Sequence, residues 1–154
     1  FIRPGSAIVV PLPFFHIYGM AVGLNVSLTR GAKVICMAKF DLEKFLSLIQ
    51  EHKAERAYVV PPIILALAKH PLVEKYDLSS LKALMSGAAP LGVEIETACA
   101  KRLNVCVKQG WGMTETSPLA SCTPDDRVSG EYLKLVFALT DLCCLSVWLC
   151  VVID

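Results

Sequence analysis

Gln109-Gly110-Trp111-Gly112-Met113-Thr114-Glu115 is the stretch on which the reading of this chain turns. It follows a β-like run, Asn104-Val105-Cys106-Val107-Lys108. Glycines let a backbone turn sharply and come close to a ligand. The indole ring offers a flat face on which a base can stack. A threonine hydroxyl can donate to a phosphate, and the glutamate beside it can hold Mg2+. Taken alone, the string also describes a glycine-bearing turn around a buried tryptophan. The surrounding chain has to decide.

Upstream, short apolar runs alternate with helical stripes. Ala7-Ile8-Val9-Val10, ended by Pro11 and Pro13, reads as a buried parallel strand opening into a loop. Phe14 to Leu28 reads as a helix stopped by Gly31. Lys33 to Met37 is a second strand, and Asp41 caps a helix to about Glu51 with Leu42, Phe45, Leu46 and Ile49 on one face. Glu51 to Arg56 reads as a solvated connection before a third strand, Ala57 to Val60. Pro61-Pro62 opens a helix that is apolar on all sides from Ile63 to Ala68, hence expected to be well buried, and His70-Pro71 ends it.

A further strand, Leu81 to Met85, runs into Ser86-Gly87-Ala88-Ala89-Pro90, whose small residues let a ligand lie against the backbone. Val93 to Leu103 then forms a helix with Glu94 and Glu96 in its first turn and Lys101 and Arg102 in its last, as the helix dipole favours. This order predicts an α/β fold, a parallel sheet flanked by helices. Ligands of such sheets bind beyond the carboxyl ends of the strands. The strand ends at Ser86 and Gln109 are expected to converge on one crevice.

Three stretches in order, Pro11-Leu12-Pro13-Phe14-Phe15-His16-Ile17-Tyr18-Gly19, Met85 to Gly92 and Gln109 to Glu115, resemble the acyl-adenylate-forming (AMP-dependent) synthetases and ligases. Their wording is nearest the 4-coumarate–CoA ligase-like acyl-CoA synthetases. The resemblance spans about residues 1–128 and implies an incomplete piece of the large N-terminal domain of such an enzyme. It implies ATP/AMP, Mg2+ and coenzyme A as cofactors or co-substrates, with a small carboxylic acid activated as acyl-AMP and then passed to the thiol. By position, Thr114 would bond phosphate oxygens and Glu115 would hold the Mg2+. Gly87, Ala88 and Ala89 would pass along adenine, and Trp111 would stack on it where the family usually has Tyr. Gln109, Gly110, Gly112 and Met113 complete the nucleotide-binding stretch, with Met113 more a packing residue. His16, Tyr18 and Gly110 would border the acyl pocket.

The family's Ser/Thr/Gly-rich phosphate loop, its ribose-binding Asp and its lysine-bearing small domain have no counterpart in these residues. The expectation is therefore a fragment that does not turn over as given, the lost lysine alone removing transition-state stabilisation. A non-functional truncated product and a non-catalytic nucleotide-binding remnant are the alternatives. Within the family, a luciferase-like or peptide-synthetase adenylation domain is the other reading.

The 154 residues suit one domain with a core, and a formal net charge of +1 gives no footprint for nucleic acid. Seven cysteines without a C-x-x-C pair read as reduced thiols of an intracellular protein, and the family resemblance implies cytoplasm or peroxisome. Residues 129–154 are an apolar tail outside the resemblance, expected to be sequence foreign to the fold. The lesser alternative is membrane association through 133–153. Asp141 inside that span opposes it, at about 2.5–3.5 kcal/mol for an acid at mid-membrane.

Overall fold

The computed structural model describes residues 2–123. The expectations for 129–154, and for the Cys143-Cys144 pair within it, lie outside the described residues. Six strands form one sheet in the order β2-β1-β3-β4-β5-β6. They are β1 (Ala7–Val10), β2 (Lys33–Cys36), β3 (Arg56–Val59), β4 (Ala83–Ser86), β5 (Cys106–Gly112) and β6 (Leu119–Cys122). The first five pair in parallel, and β6 joins β5 antiparallel. The parallel, helix-flanked sheet is as the alternating sequence predicted.

Alternation along each strand sends side chains to two faces. On one face Val9, Ala57, Val59, Leu84 and Val107 meet three helices: α2 (Leu42–His52), α3 (Pro61–Lys69) and α4 (Val93–Leu103). Phe45, Leu46 and Ile49 of α2 are wholly buried there, each stabilising the fold by about 1.5–3 kcal/mol relative to exposure. Asp41 caps α2, its carboxylate accepting the Lys44 N–H at 2.8 Å. On the opposite face Ile8, Val10 and Tyr58 meet α1, a helix that is π-wound over Tyr18–Asn25 and ends in an α-helical turn, Val26–Thr29. Tyr18 and Val22 are its buried contacts.

Four local expectations need correction. The first helix begins at Tyr18, because Phe14 and Phe15 form a turn in which the His16 N–H donates to the Pro13 carbonyl at 3.3 Å. Helix α3 is not buried on all sides: Ile63, Ile64 and Leu67 are buried, but Leu65 is 39% exposed, since a helix lying on a sheet presents only one face to it. The connection before β3 is not simply solvated. Lys53, in the left-handed conformation (φ 49°), turns the chain inward, so Ala54 is fully buried and the Glu55 N–H donates to the Ala7 carbonyl at 2.9 Å. Finally, the strand before the glycines does not stop at Lys108; β5 runs on through Gly112.

Candidate nucleotide site at the ends of β4 and β5

Strands β4 and β5 are neighbours, and Ser86 sits opposite Gln109 in their register. The Gly87–Ala89 turn therefore leaves the sheet beside Gln109, while β5 carries on through Gly112 before its own turn begins; the strand end expected at Gln109 falls at Gly112 instead. After Ser86 the chain makes a tight turn in which Gly87 is buried while Ala88, Ala89 and Pro90 are exposed. Ala88 is held at φ +72°, a left-handed conformation that is uncommon for a side-chain-bearing residue and often found at functional turns. The turn thus offers its backbone and two methyl groups to solvent.

The position of Gly87 follows from Tyr18. A Cβ on Gly87 would lie 3.1 Å from two carbons of the Tyr18 ring. That ring meets Tyr58 edge-on, with centroids 6.4 Å apart, and its hydroxyl donates to the Met85 carbonyl at 2.9 Å. Burial, with Tyr58 beside it, pushes the Tyr18 phenol well above its ordinary range, so it stays a neutral hydrogen-bond donor. Tyr18 therefore underpins the Gly87 turn and presents only ring surface. His16 is exposed, and its Nδ1 accepts the Tyr18 N–H at 3.2 Å, which fixes the start of α1.

Gly110 and Gly112 serve close approach rather than a left-handed turn, for neither has positive φ. A Cβ on Gly110 would meet Met85 Cε at 2.7 Å and Leu119 Cδ1 at 2.8 Å. One on Gly112 would collide with the Pro118 carbonyl. These glycines let β6 fold back onto the end of β5, with a register shift at Trp111/Gly112. Trp111 is half-buried.

Beyond Gly112 the chain enters a short 3-10 turn, Thr114–Thr116. Thr116 holds it: its Oγ1 accepts the Met113 N–H at 3.1 Å and lies 2.9 Å from the Met113 carbonyl and 2.7 Å from the Pro118 carbonyl. Met113, Thr114 and Glu115 are all exposed. Among the described residues no cluster of three or more His, Cys, Asp or Glu side chains could hold a metal ion. A single exposed carboxylate such as Glu115 still suits Mg2+, which takes one or two carboxylates and completes its shell with phosphate oxygens and water.

Gln109 sits differently from its neighbours. It is buried, with its side-chain amide bonded to Leu91 and Glu96. Glu96, read from sequence only as a first-turn acid, is 1% exposed, whereas Glu94 faces solvent. Sequence reading missed Glu96, Thr116 and β6. A signal for Glu96 was present: it shares a helical face with Cys99 and Leu103, the side of α4 that meets the core.

A hollow of about 250 Å3 lies on the α1 side of the sheet, lined by Ile2, Val26, Tyr58, Met85 and Lys108 among others. It includes none of Gly87–Ala89 or Gln109–Glu115.

Residues 2–138 match a family profile described as AMP-binding enzyme. The chain is 53% identical over 113 residues to 4-coumarate–CoA ligase 1 of Solanum tuberosum, covering 72% of this chain and 21% of that protein. It is 44% identical over 119 residues to a probable 4-coumarate–CoA ligase 1 of Dictyostelium discoideum, covering 76% and 22%. Among solved structures, the N-terminal domain of FACL13 from Mycobacterium tuberculosis superposes with a TM-score of 0.74 at 26% identity, covering 81% of this chain and 31% of that one. A red-emitting luciferase from Phrixothrix hirtus does so with a TM-score of 0.72 at 40% identity, covering 80% and 23%. The chain thus spans about a fifth of the length of the curated relatives it matches.

Proposed function

The chain belongs to the AMP-binding enzyme family, and from that premise we propose that it carries the adenylate-binding strand ends of an AMP-forming acyl- or aryl-CoA ligase. The observation that carries this reading is the register of Ser86 with Gln109, which sets the Gly87–Ala89 turn beside the strand that leads through Gly112 into the Thr114–Thr116 turn. A nucleotide needs such a pair of loops: one with accessible backbone for the base, one with a donor and a carboxylate for the phosphate and its metal.

In the proposed reaction a carboxylate oxygen attacks the α-phosphorus of ATP, and pyrophosphate leaves. The thiol of coenzyme A then attacks the acyl carbonyl of the mixed anhydride, and AMP leaves. The exposed Thr114 hydroxyl donates to the phosphate, and Glu115 holds Mg2+. When bound, that ion offsets the charge on the phosphates. The Ala88–Ala89 backbone lies along the adenine, with Trp111 as its stacking face. The Tyr18 hydroxyl and the backbone of Gly110 both approach Met85, and His16 stands at the exposed start of α1. These three mark the acyl side.

Titration calorimetry of the chain with AMP, and with ATP in the presence and absence of Mg2+, tests the reading. Saturable AMP binding that weakens in Thr114→Ala, together with a Mg2+ dependence of ATP binding that disappears in Glu115→Gln, is the expected result. Heats with AMP that do not saturate at millimolar nucleotide would sink it.

A further inference from the structure

The side-chain amide of Gln109 is engaged on every side. Its Oε1 accepts the Leu91 N–H at 3.2 Å. Its Nε2 donates to the Leu91 carbonyl at 3.1 Å and to the Glu96 carboxylate. A primary amide has two N–H donors, and both are used. Glu96 is 1% exposed and Gln109 7% exposed, so water does not compete for these bonds. On its backbone side Gln109 is pinned as well: its carbonyl accepts the Thr123 N–H at 3.0 Å.

Leu91 lies directly after the Gly87–Pro90 turn, and Gln109 opens the stretch that ends in Thr114 and Glu115. One buried side chain therefore joins the two loops of the candidate site. We propose that Glu96 is a positioning residue for the nucleotide site, acting through Gln109: its carboxylate aims the amide that holds the Gly87–Ala89 turn in register with Gly110–Glu115. This rests on the nucleotide-binding reading given above.

The chemistry favours a carboxylate at this place. A charged acceptor makes a stronger bond to an amide N–H than a neutral one does. It also opposes rotation of the amide, since the flipped form would set Oε1 against both the carboxylate and the Leu91 carbonyl. An apolar residue at 96 would pack but would leave a buried N–H without its acceptor. Glu96 touches no reacting group. Its effect on the site is geometric.

Amide hydrogen exchange followed by NMR, on the chain and on Glu96→Ala, Glu96→Gln and Gln109→Met, tests the proposal, with an AMP titration of each protein. Glu96→Ala should exchange the Leu91 amide about tenfold faster or more, with smaller increases over Gly110–Met113, and should bind AMP more weakly. Glu96→Gln keeps an acceptor for Gln109 Nε2 and should restore both readouts most of the way, which a general loss of stability would not do. Gln109→Met keeps the volume without the amide and should reproduce the Leu91 effect even if Glu96→Ala does not fold. Unchanged Leu91 exchange in Glu96→Ala or Gln109→Met, or a Glu96→Gln protein as impaired as Glu96→Ala, overturns the proposal. A wild-type chain that shows the expected exchange pattern but binds no AMP would leave the two loops joined through Gln109 and overturn the nucleotide reading and its positioning role.

Discussion

The Tyr18 hydroxyl donates to the Met85 carbonyl at 2.9 Å, two residues before the glycine turn that the same phenol ring supports from below. This bond ties the first motif of the chain to the second across a separation of 67 residues. Replacing Tyr18 with Phe keeps the ring against Gly87 and removes only the donor. The urea midpoint should fall by the equivalent of about 1 kcal/mol, the usual net value of one such bond. An unchanged midpoint would mean that the phenol does not hold the strand end.

Glycine at 112 is demanded by the Pro118 backbone, whereas a Cβ at Gly92 would meet nothing within 4 Å. Gly112→Ala should therefore destabilise the fold by about 1–3 kcal/mol, as overpacking against an unyielding neighbour does. Gly92→Ala, at the N-cap of α4, should stay within about 1 kcal/mol of wild type. Thermal unfolding of the pair decides the matter, and equal shifts would contradict the close approach of β5 and β6.

Burial pushes the Cys99 thiol up to about 11, against a weaker opposing pull from Arg102. Its thiolate is correspondingly scarce near pH 8, and the thiolate is the nucleophile. Iodoacetamide labelling mapped by peptide mass spectrometry should modify the exposed Cys36 and Cys122 first, with Cys99 slower by about tenfold or more. Cys99 reacting as fast as Cys36 would show that α4 does not stay closed over it.

Asp77 accepts from the Ser79 N–H at 3.0 Å and pairs with Lys53 at 3.2 Å, and the Ser79 and Lys53 contacts hold its carboxyl at about 2. A carboxyl depressed on folding contributes stability that is present above its unfolded value near 3.8 and is lost as pH falls through about 2. Asp77→Asn should accordingly be less stable than wild type at pH 7, and the gap between the two should close between about pH 4 and pH 2. Denaturation midpoints across that window provide the check; a constant gap would rule out the linkage.

Much of the architecture was legible because it rests on local signals. Asp41 as a cap, Pro61 as a helix opener and the apolar face of α2 are each set by residues within a few positions of one another, and the structure has all three. That Ser86 and Gln109 come together was also expected, although the strand end placed at Gln109 falls at Gly112. What misled was local reading of residues whose environment is distant. Leu65 looked like core, yet α3 has a solvent side; Ala54 sat among charged residues, yet the chain turns it inward.

By itself, the sequence determined the alternation of strands and helices, the parallel sheet and the three motif stretches, because period, caps and turn residues act over short range. Only the tertiary structure decided why the glycines of the last motif are there, since Gly110 and Gly112 answer to Met85, Leu119 and Pro118 rather than to a turn of their own. It alone decided that Gln109 and Glu96 face each other and that Tyr18 lies beneath Gly87. Those contacts join residues far apart along the chain, and their partners are chosen by packing between elements, which no short window of sequence encodes.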